Sequence, residues 1–294
     1  MTKHFFVLVN PQSGRGKSQK IGRKVSTFFE GQGIKFSLFE TRNDCRGSQT
    51  VENNLTPEYT DLIIIGGDGT INEAINGLKY DLPVSFIPSG SGNDFVKNIR
   101  IGSTFESQLD TALNGPINRI DIGLCNDRKF INGVGVGFDG QIAADMINRK
   151  VPFISGQLKY YYHVLHILGS YKCRDFDLII DQFPKRQNLI LLTIANGTTF
   201  GGGFKLTPHA KLNDGKLSVC AIGPLSPLQR YLKVLTLQKG SHNRLKEVSL
   251  FEAKKLIIGA NAQLEAHIDG EYFRQPPFSV SILPGALQIR ASLS

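Results

Sequence analysis

The 294-residue chain is poor in cysteine, and its four cysteines, Cys45, Cys125, Cys173 and Cys220, stand far apart with no C-x-x-C pair. That spacing argues against a disulfide framework or a zinc site and fits reduced, mostly buried thiols in a cytosolic protein. Long apolar runs are also missing: none approaches the roughly 18 residues that suggest a membrane-spanning helix. The N-terminal run FFVLVN meets turn residues almost at once and reads as a strand, not a signal peptide. There is no internal repeat, no low-complexity tract and no RNA-binding aromatic signature, so a nucleic-acid partner is not expected. A true P-loop is lacking too. The stretch NPQSGRGKS, Asn10–Ser18, ends in Gly-Lys-Ser, but Pro11 stands where G-x-x-x-x-G-K-[ST] needs its first glycine.

What is present is an ordinary folded composition, 40% hydrophobic and 20% charged, with 34 basic residues against 25 acidic ones, a net charge of +9. The excess favours an anionic partner, such as a phosphorylated small molecule or an anionic membrane surface. The length fits two domains, because single cores stop growing at about 250–300 residues.

The first part of the chain alternates strand and helix. Phe5–Val9 is an apolar run bounded by Asn-Pro, and Ile21, Val25 and Phe28 repeat at helical spacing behind it. KFSLFE alternates as a second strand. Leu62–Ile65 is fully apolar and breaks into Gly66-Gly67-Asp68-Gly69-Thr70, with Ile71, Ile75 and Leu78 marking a helix face. Val84–Ile87 repeats the scheme. Alternation of this kind predicts a parallel sheet with right-handed crossovers, whose ligand loops leave the carboxyl ends of the strands. From about residue 117 strand patterns dominate, with helices expected only at 141–148, 157–168 and 228–237. The expected organisation is an α/β nucleotide-binding domain at 1–117 and a β-rich domain at 118–284, with the tail from 285 to 294 a candidate to return to the first domain.

In GGDGT the glycines let backbone N–H groups approach an anion, and Thr70 at a helix start suits phosphate. Asp68 is either a turn former between glycines or a carboxylate that holds a cation against the phosphates; the residues alone leave both open. The same holds for Arg15 and Lys17, which either add positive charge or are solvated helix-start residues. Gly135-x-Gly137-x-x-Gly140 has the form of a dinucleotide fingerprint but lacks the acidic residue that should follow, so close backbone packing is expected there. His163 and His166 are expected to pack with aromatics rather than bind metal.

The set NPQSG, GGDGTINE and PSGSGNDF, followed by a β-rich half, resembles the diacylglycerol kinase catalytic family of lipid kinases, which also includes sphingosine and ceramide kinases. The resemblance spans essentially the whole chain. It implies a Rossmann-like domain of NAD kinase and phosphofructokinase type, followed by a β-sandwich. It implies ATP contacts at Asn10, Pro11, Gln12, Ser13, Gly14, Thr41, Gly66, Gly67, Asp68, Gly69, Thr70, Ile71, Asn72 and Ser91, with Asp94 and Asp121 in a polar network beneath the phosphates. It implies a bound Mg²⁺ at Asp214 and the backbone carbonyls of Lys211 and Lys216; read alone, Asp214-Gly215 is a hairpin turn. In EAHIDGEYF it makes Asp269 and Glu271 catalytic, with Glu271 the proton-accepting base, where the bare sequence equally allows an exposed hairpin carboxylate.

The resulting expectation is an ATP- and Mg²⁺-dependent kinase that converts diacylglycerol to phosphatidic acid. Its rivals are a kinase of a sphingoid base, another glycerolipid or a polyprenol, and a nucleotide-binding protein without turnover. Peripheral contact with an anionic membrane is expected through YYYHVLHIL and the flanking Arg149, Lys150, Lys159, Lys172 and Arg174. The expected location is cytoplasmic and peripheral at the membrane. A homodimer is left open.

Overall fold

The computed structural model describes residues 3–42, 46–149, 151–152, 156–259 and 264–293. Cys45 and Lys150 lie outside them. The chain divides into two compact units, residues 1–120 with 285–294, and residues 121–284.

In the first unit β1 (His4–Val9), α1 (Lys17–Gly31), β2 (Lys35–Glu40), α2 (Gly47–Asn54), β3 (Asp61–Gly66), α3 (Asp68–Gly77) and β4 (Val84–Pro88) follow one another. After them come a short β5 (Ile99–Arg100) and α4 (Phe105–Asn114). β1 lies parallel between β2 and β3, and β3 pairs parallel with β4. Every residue of β1 and β3 is buried, which is why both read as continuous apolar runs: strands covered on both faces have no solvent side to keep polar. β2 is the edge and stays half-exposed. One face of the sheet packs Phe5, Val7, Val9, Ile63 and Ile65 against Val25 and Phe29 of α1 and Leu109 of α4. The last residues of the chain return here: Ile289 pairs parallel with Val84, and Arg290 forms a buried ion pair with Asp61.

The second unit is antiparallel. After β6 (Ile117–Cys125), in which the chain enters it, come β7 (Arg128–Phe130), β8 (Gly133–Gly137), α5 (Phe138–Asn148) and α6 (Gln157–Leu168). β9 (Arg174–Ile180), β10 (Phe183–Leu189), β11 (Leu191–Ala195), β12 (Leu217–Ile222) and α7 (Pro227–Lys239) follow. Last are β13 (Val248–Ala253), β14 (Lys255–Ile258), β15 (Ala266–Ile268), β16 (Glu271–Phe273), β17 (Phe278–Arg290), whose final residues belong to the first unit, and β18 (Ser292–Leu293) in that unit. One sheet runs β13-β12-β11-β8-β15-β16, and β10, β9, β14 and β17, with β6 paired to β17 and β7 to β6, build the other. Val134, Val136, Ile194 and Val219 of the first meet Phe176, Leu178, Leu256 and Phe278 of the second, so the core is that of a sandwich. The α/β unit and the sandwich match the expected fold class.

Candidate functional site

In the first unit the loops that leave β1, β3 and β4 meet. Asn10 closes the turn after β1 by accepting the Gln12 N–H on Oδ1 (3.1 Å), and its Nδ2 donates to Thr70 Oγ1 (3.1 Å) in the GGDGT loop. Ser89, at the end of β4, bonds Ser13 Oγ (3.3 Å) and Ser18 Oγ (2.5 Å). The second and third glycine loops touch backbone to backbone: a Cβ on Gly90 would stand 2.8 Å from the Cα of Gly67. Only residues without side chains allow that approach. Thr41 joins by donating its N–H to Val9 O (2.8 Å).

Asp68 does more than turn the chain. Its carboxylate accepts the N–H groups of Asp94 (3.0 Å) and Phe95 (3.2 Å), tying the GGDGT loop to the turn that follows Ser91. Two amides aimed at one carboxylate partly offset its charge. Asp94 in turn pairs with Lys97 (2.6 Å). Gln12, Gly14 and Ser91 are exposed at the surface. Ile71 has least to offer a ligand, since its side chain is buried and its N–H is given to Gly67 O (3.1 Å). Arg15 and Lys17 are exposed.

In the second unit, Asp121 Oδ2 accepts the Gly215 N–H (2.7 Å), and Asp214 Oδ1 accepts the Lys216 N–H (3.1 Å). Asp121 therefore pins the Asp214-Gly215 turn. Among the described residues no three His, Cys, Asp or Glu side chains cluster to hold a metal. The expected Mg²⁺ set, the Asp214 carboxylate with the main-chain carbonyls of Lys211 and Lys216, is all oxygen, which suits that ion's chemistry.

The Asp269-Gly270-Glu271 turn joins β15 to β16 and is held at each residue. Asp269 accepts three main-chain N–H groups, from Ile131 (2.9 Å), Asn132 (3.0 Å) and Gly133 (2.8 Å). Three amides on one carboxylate make it a staple for the turn. Gly270 donates its N–H to His267 Nδ1 (3.2 Å). Glu271, 39% exposed, pairs with the guanidinium of Arg128 on β7. The sequence reading missed Arg128 and His267. Nothing in their local pattern marks them: the β15–β16 hairpin brings His267 to the turn, and Arg128 reaches it from β7, far away along the chain.

An apolar cavity of about 60 Å³ lies between α5, α6 and α7 and the outer face of β11 and β12. Phe138, Ile142, Val164, Leu191, Phe204 and Ile222 line it, and Asp139 stands in its wall. α6 and α7 turn unpaired apolar side chains outward, with Leu158, Leu228 and Leu232 each 69% exposed. The Gly135–Gly140 segment serves close packing, as expected: a Cβ on Gly140 would meet the Glu265 carbonyl at 2.1 Å. His163 is buried against Asp145 (2.7 Å), and His166 stacks on Tyr162.

Residues 4–125 match the family model described as "Diacylglycerol kinase catalytic domain", and residues 132–291 match "YegS C-terminal NAD kinase beta sandwich-like domain". The chain is 30% identical over 275 residues to a diacylglycerol kinase of Bacillus subtilis strain 168, covering 90% of this chain and 89% of the relative. It is 28% identical over 276 residues to a diacylglycerol kinase of Staphylococcus saprophyticus, covering 92% and 90%. The crystal structure of a diacylglycerol kinase from Bacillus anthracis superposes with a TM-score of 0.74 at 18% identity, covering 99% of this chain and 97% of that one. An NAD kinase from Archaeoglobus fulgidus in complex with ATP superposes with a TM-score of 0.53 at 15% identity, covering 97% and 92%. At those identities the two structures establish the fold alone.

Proposed function

The chain belongs to the diacylglycerol kinase catalytic family of ATP-dependent bacterial lipid kinases, and from that membership we propose that it transfers the γ-phosphoryl group of ATP to the hydroxyl of diacylglycerol, with Mg²⁺, giving phosphatidic acid. The observation that carries the nucleotide half is the contact between Gly67 and Gly90 with Asn10, Thr70, Ser13 and Ser89 around it. Backbone N–H groups and hydroxyls converging without side-chain obstruction are what a polyphosphate needs. Asp68 would be the residue that shares a cation with those phosphates. Mg²⁺ would supply charge neutralisation when bound, and the Asp214 carboxylate with the Lys211 and Lys216 carbonyls would hold a second, structural ion.

Glu271 takes the proton of the lipid hydroxyl as the phosphoryl group moves; Asp269, saturated by three amides, shapes the turn. The apolar cavity supports a lipid rather than a small polar alcohol. The choice of diacylglycerol rests on the relatives that carry that name. The exposed leucines of α6 and α7, with Arg149, Lys159, Lys172 and Arg174 nearby in sequence, support peripheral contact with an anionic bilayer. Among the described residues no helix is long and apolar enough to cross a membrane.

The test is transfer from labelled ATP, with Mg²⁺, to a panel of long-chain alcohols in mixed micelles. The parent phosphorylates diacylglycerol, and Asp68→Ala and Glu271→Ala each lose about a hundredfold or more in kcat. Transfer to a sphingoid base or polyprenol alone would replace the substrate, and full activity in Glu271→Ala would remove the base.

A further inference from the structure

Asp139 and His267 are buried, titratable and unused by the proposed reaction. Asp139 is the second residue of α5 and stands in the cavity wall. Its Oδ2 accepts the hydroxyl of Thr193 on β11 (3.1 Å) and lies 4.0 Å from Nε2 of His267 on β15. Across the ring, His267 Nδ1 accepts the Gly270 N–H (3.2 Å), one residue before Glu271. A nitrogen that accepts carries no proton, so the hydrogen of the neutral imidazole sits on Nε2, facing Asp139. Gly135 makes the room: a Cβ there would stand 2.4 Å from His267 Nε2 and 2.7 Å from the Asp139 Cβ.

We propose that Asp139 and His267 are positioning residues which, through the imidazole tautomer, fix the Gly270 amide and thereby the placement of the Glu271 carboxylate. The proposal rests on Glu271 being the base. With Asp139 ionised, its charge 4.0 Å away favours the tautomer whose Nε2–H faces it, Nδ1 stays an acceptor and the turn is anchored. With Asp139 protonated, that bias is lost. The other tautomer then becomes accessible, and its Nδ1–H would oppose the Gly270 N–H. Burial pushes Asp139 up to about 7 and pulls His267 down to about 4, so across neutral pH the carboxyl changes state beside an imidazole that stays neutral.

The other groups facing Asp139 do not take over this role. Burial pushes the Cys220 thiol and the Tyr171 phenol each up to about 12. Tyr160, Arg230 and Lys233 line the same cavity. Arg230 donates to the carbonyls of Leu168 (2.9 Å), Tyr171 (2.6 Å) and Leu225 (2.9 Å), and Lys233 pairs with Glu247 (3.0 Å).

The test compares the full-length parent with Asp139→Asn, His267→Phe and His267→Asn, whose amide oxygen can stand in for Nδ1. Hydrogen–deuterium exchange over residues 266–273 reports the Gly270 amide without requiring turnover, and kcat is followed from pH 5.5 to 9. Losing the acceptor in His267→Phe speeds exchange and lowers kcat by about tenfold, with the nucleotide KM unchanged, and His267→Asn recovers most of both. The parent kcat rises through an ionisation near 7 that is missing in Asp139→Asn. Unchanged exchange in His267→Phe, an Asn variant no better than the Phe one, or the same pH profile in parent and Asp139→Asn overturns the proposal. Were His267→Phe not to fold, exchange and pH profile in Asp139→Asn would still decide. An active Glu271→Ala beside altered exchange would sink the base assignment and leave the link to Gly270 standing.

Discussion

At the scale of single residues, Asp139 and His267 pull stability in opposite directions. His267 is held at about 4 in the fold, below its ordinary 6.5, so between those values the unfolded chain binds the extra proton and stability rises with pH. Asp139 is held at about 7, above its ordinary 3.8, so between those values the folded chain binds the extra proton and stability falls as pH rises. In the parent the two slopes oppose each other from pH 4 to 6.5. Asp139→Asn should leave a urea midpoint that climbs with pH over that window, and His267→Phe one that declines; parallel curves in all three proteins would mean that neither group is perturbed. Neither residue was legible in the sequence. Asp139 follows glycines that mimic a nucleotide motif, and His267 sits in an ordinary strand. What could be read were residues whose neighbours in the chain are themselves the signal, such as Asp68 between glycines and Glu271 after Asp-Gly. The partners of those residues, Asp94 N–H and Arg128, depend on loops distant along the chain.

At the scale of elements, the legible ones were those whose pattern follows from burial. β1, β3 and β4 are apolar because they are covered, and α1 shows its face because one side of it meets the sheet. β10, with sequence FPKRQNL, could not be read from pattern, because it is an exposed strand defined by pairing with β9. α2 also shows little periodicity, and its place is set by contact. A Cβ on Gly77, at the end of α3, would stand 2.2 Å from the Ser48 carbonyl of α2, and Gly47 donates its N–H to Glu73 of α3 (2.8 Å). Gly77→Ala should therefore force the two helices apart and cost about 1–3 kcal/mol, read from the urea midpoint. Gly31→Ala, at the end of α1 with nothing within 4 Å, is the matched control and should cost nothing. Equal midpoints in the two variants would show that α2 yields freely.

At the scale of the molecule, a kinase acting on a bilayer lipid must hold both an anionic nucleotide and an anionic surface, and the net charge of +9 favours both. Charge alone gives attraction that salt screens within about 10 Å at 0.1 M. On the proposed membrane contact, the outward leucines of α6 and α7, which flank the cavity that these helices wall, would add a contribution that salt does not weaken. Charge and leucines can be separated by substrate. Replacing Leu228 and Leu232 by glutamine keeps helix propensity and removes only exposed apolar surface. Turnover of diacylglycerol embedded in vesicles containing phosphatidylglycerol should then fall by about tenfold or more, since each buried leucine is worth about 1.5–3 kcal/mol. Turnover of a short-chain, freely dissolved diacylglycerol should stay at the parent level, because the nucleotide loops and the Asp269–Glu271 turn are untouched. Raising salt should weaken vesicle binding of parent and variant alike. Equal losses on dissolved and embedded substrate would show that the leucines support the fold or the cavity rather than meet the membrane.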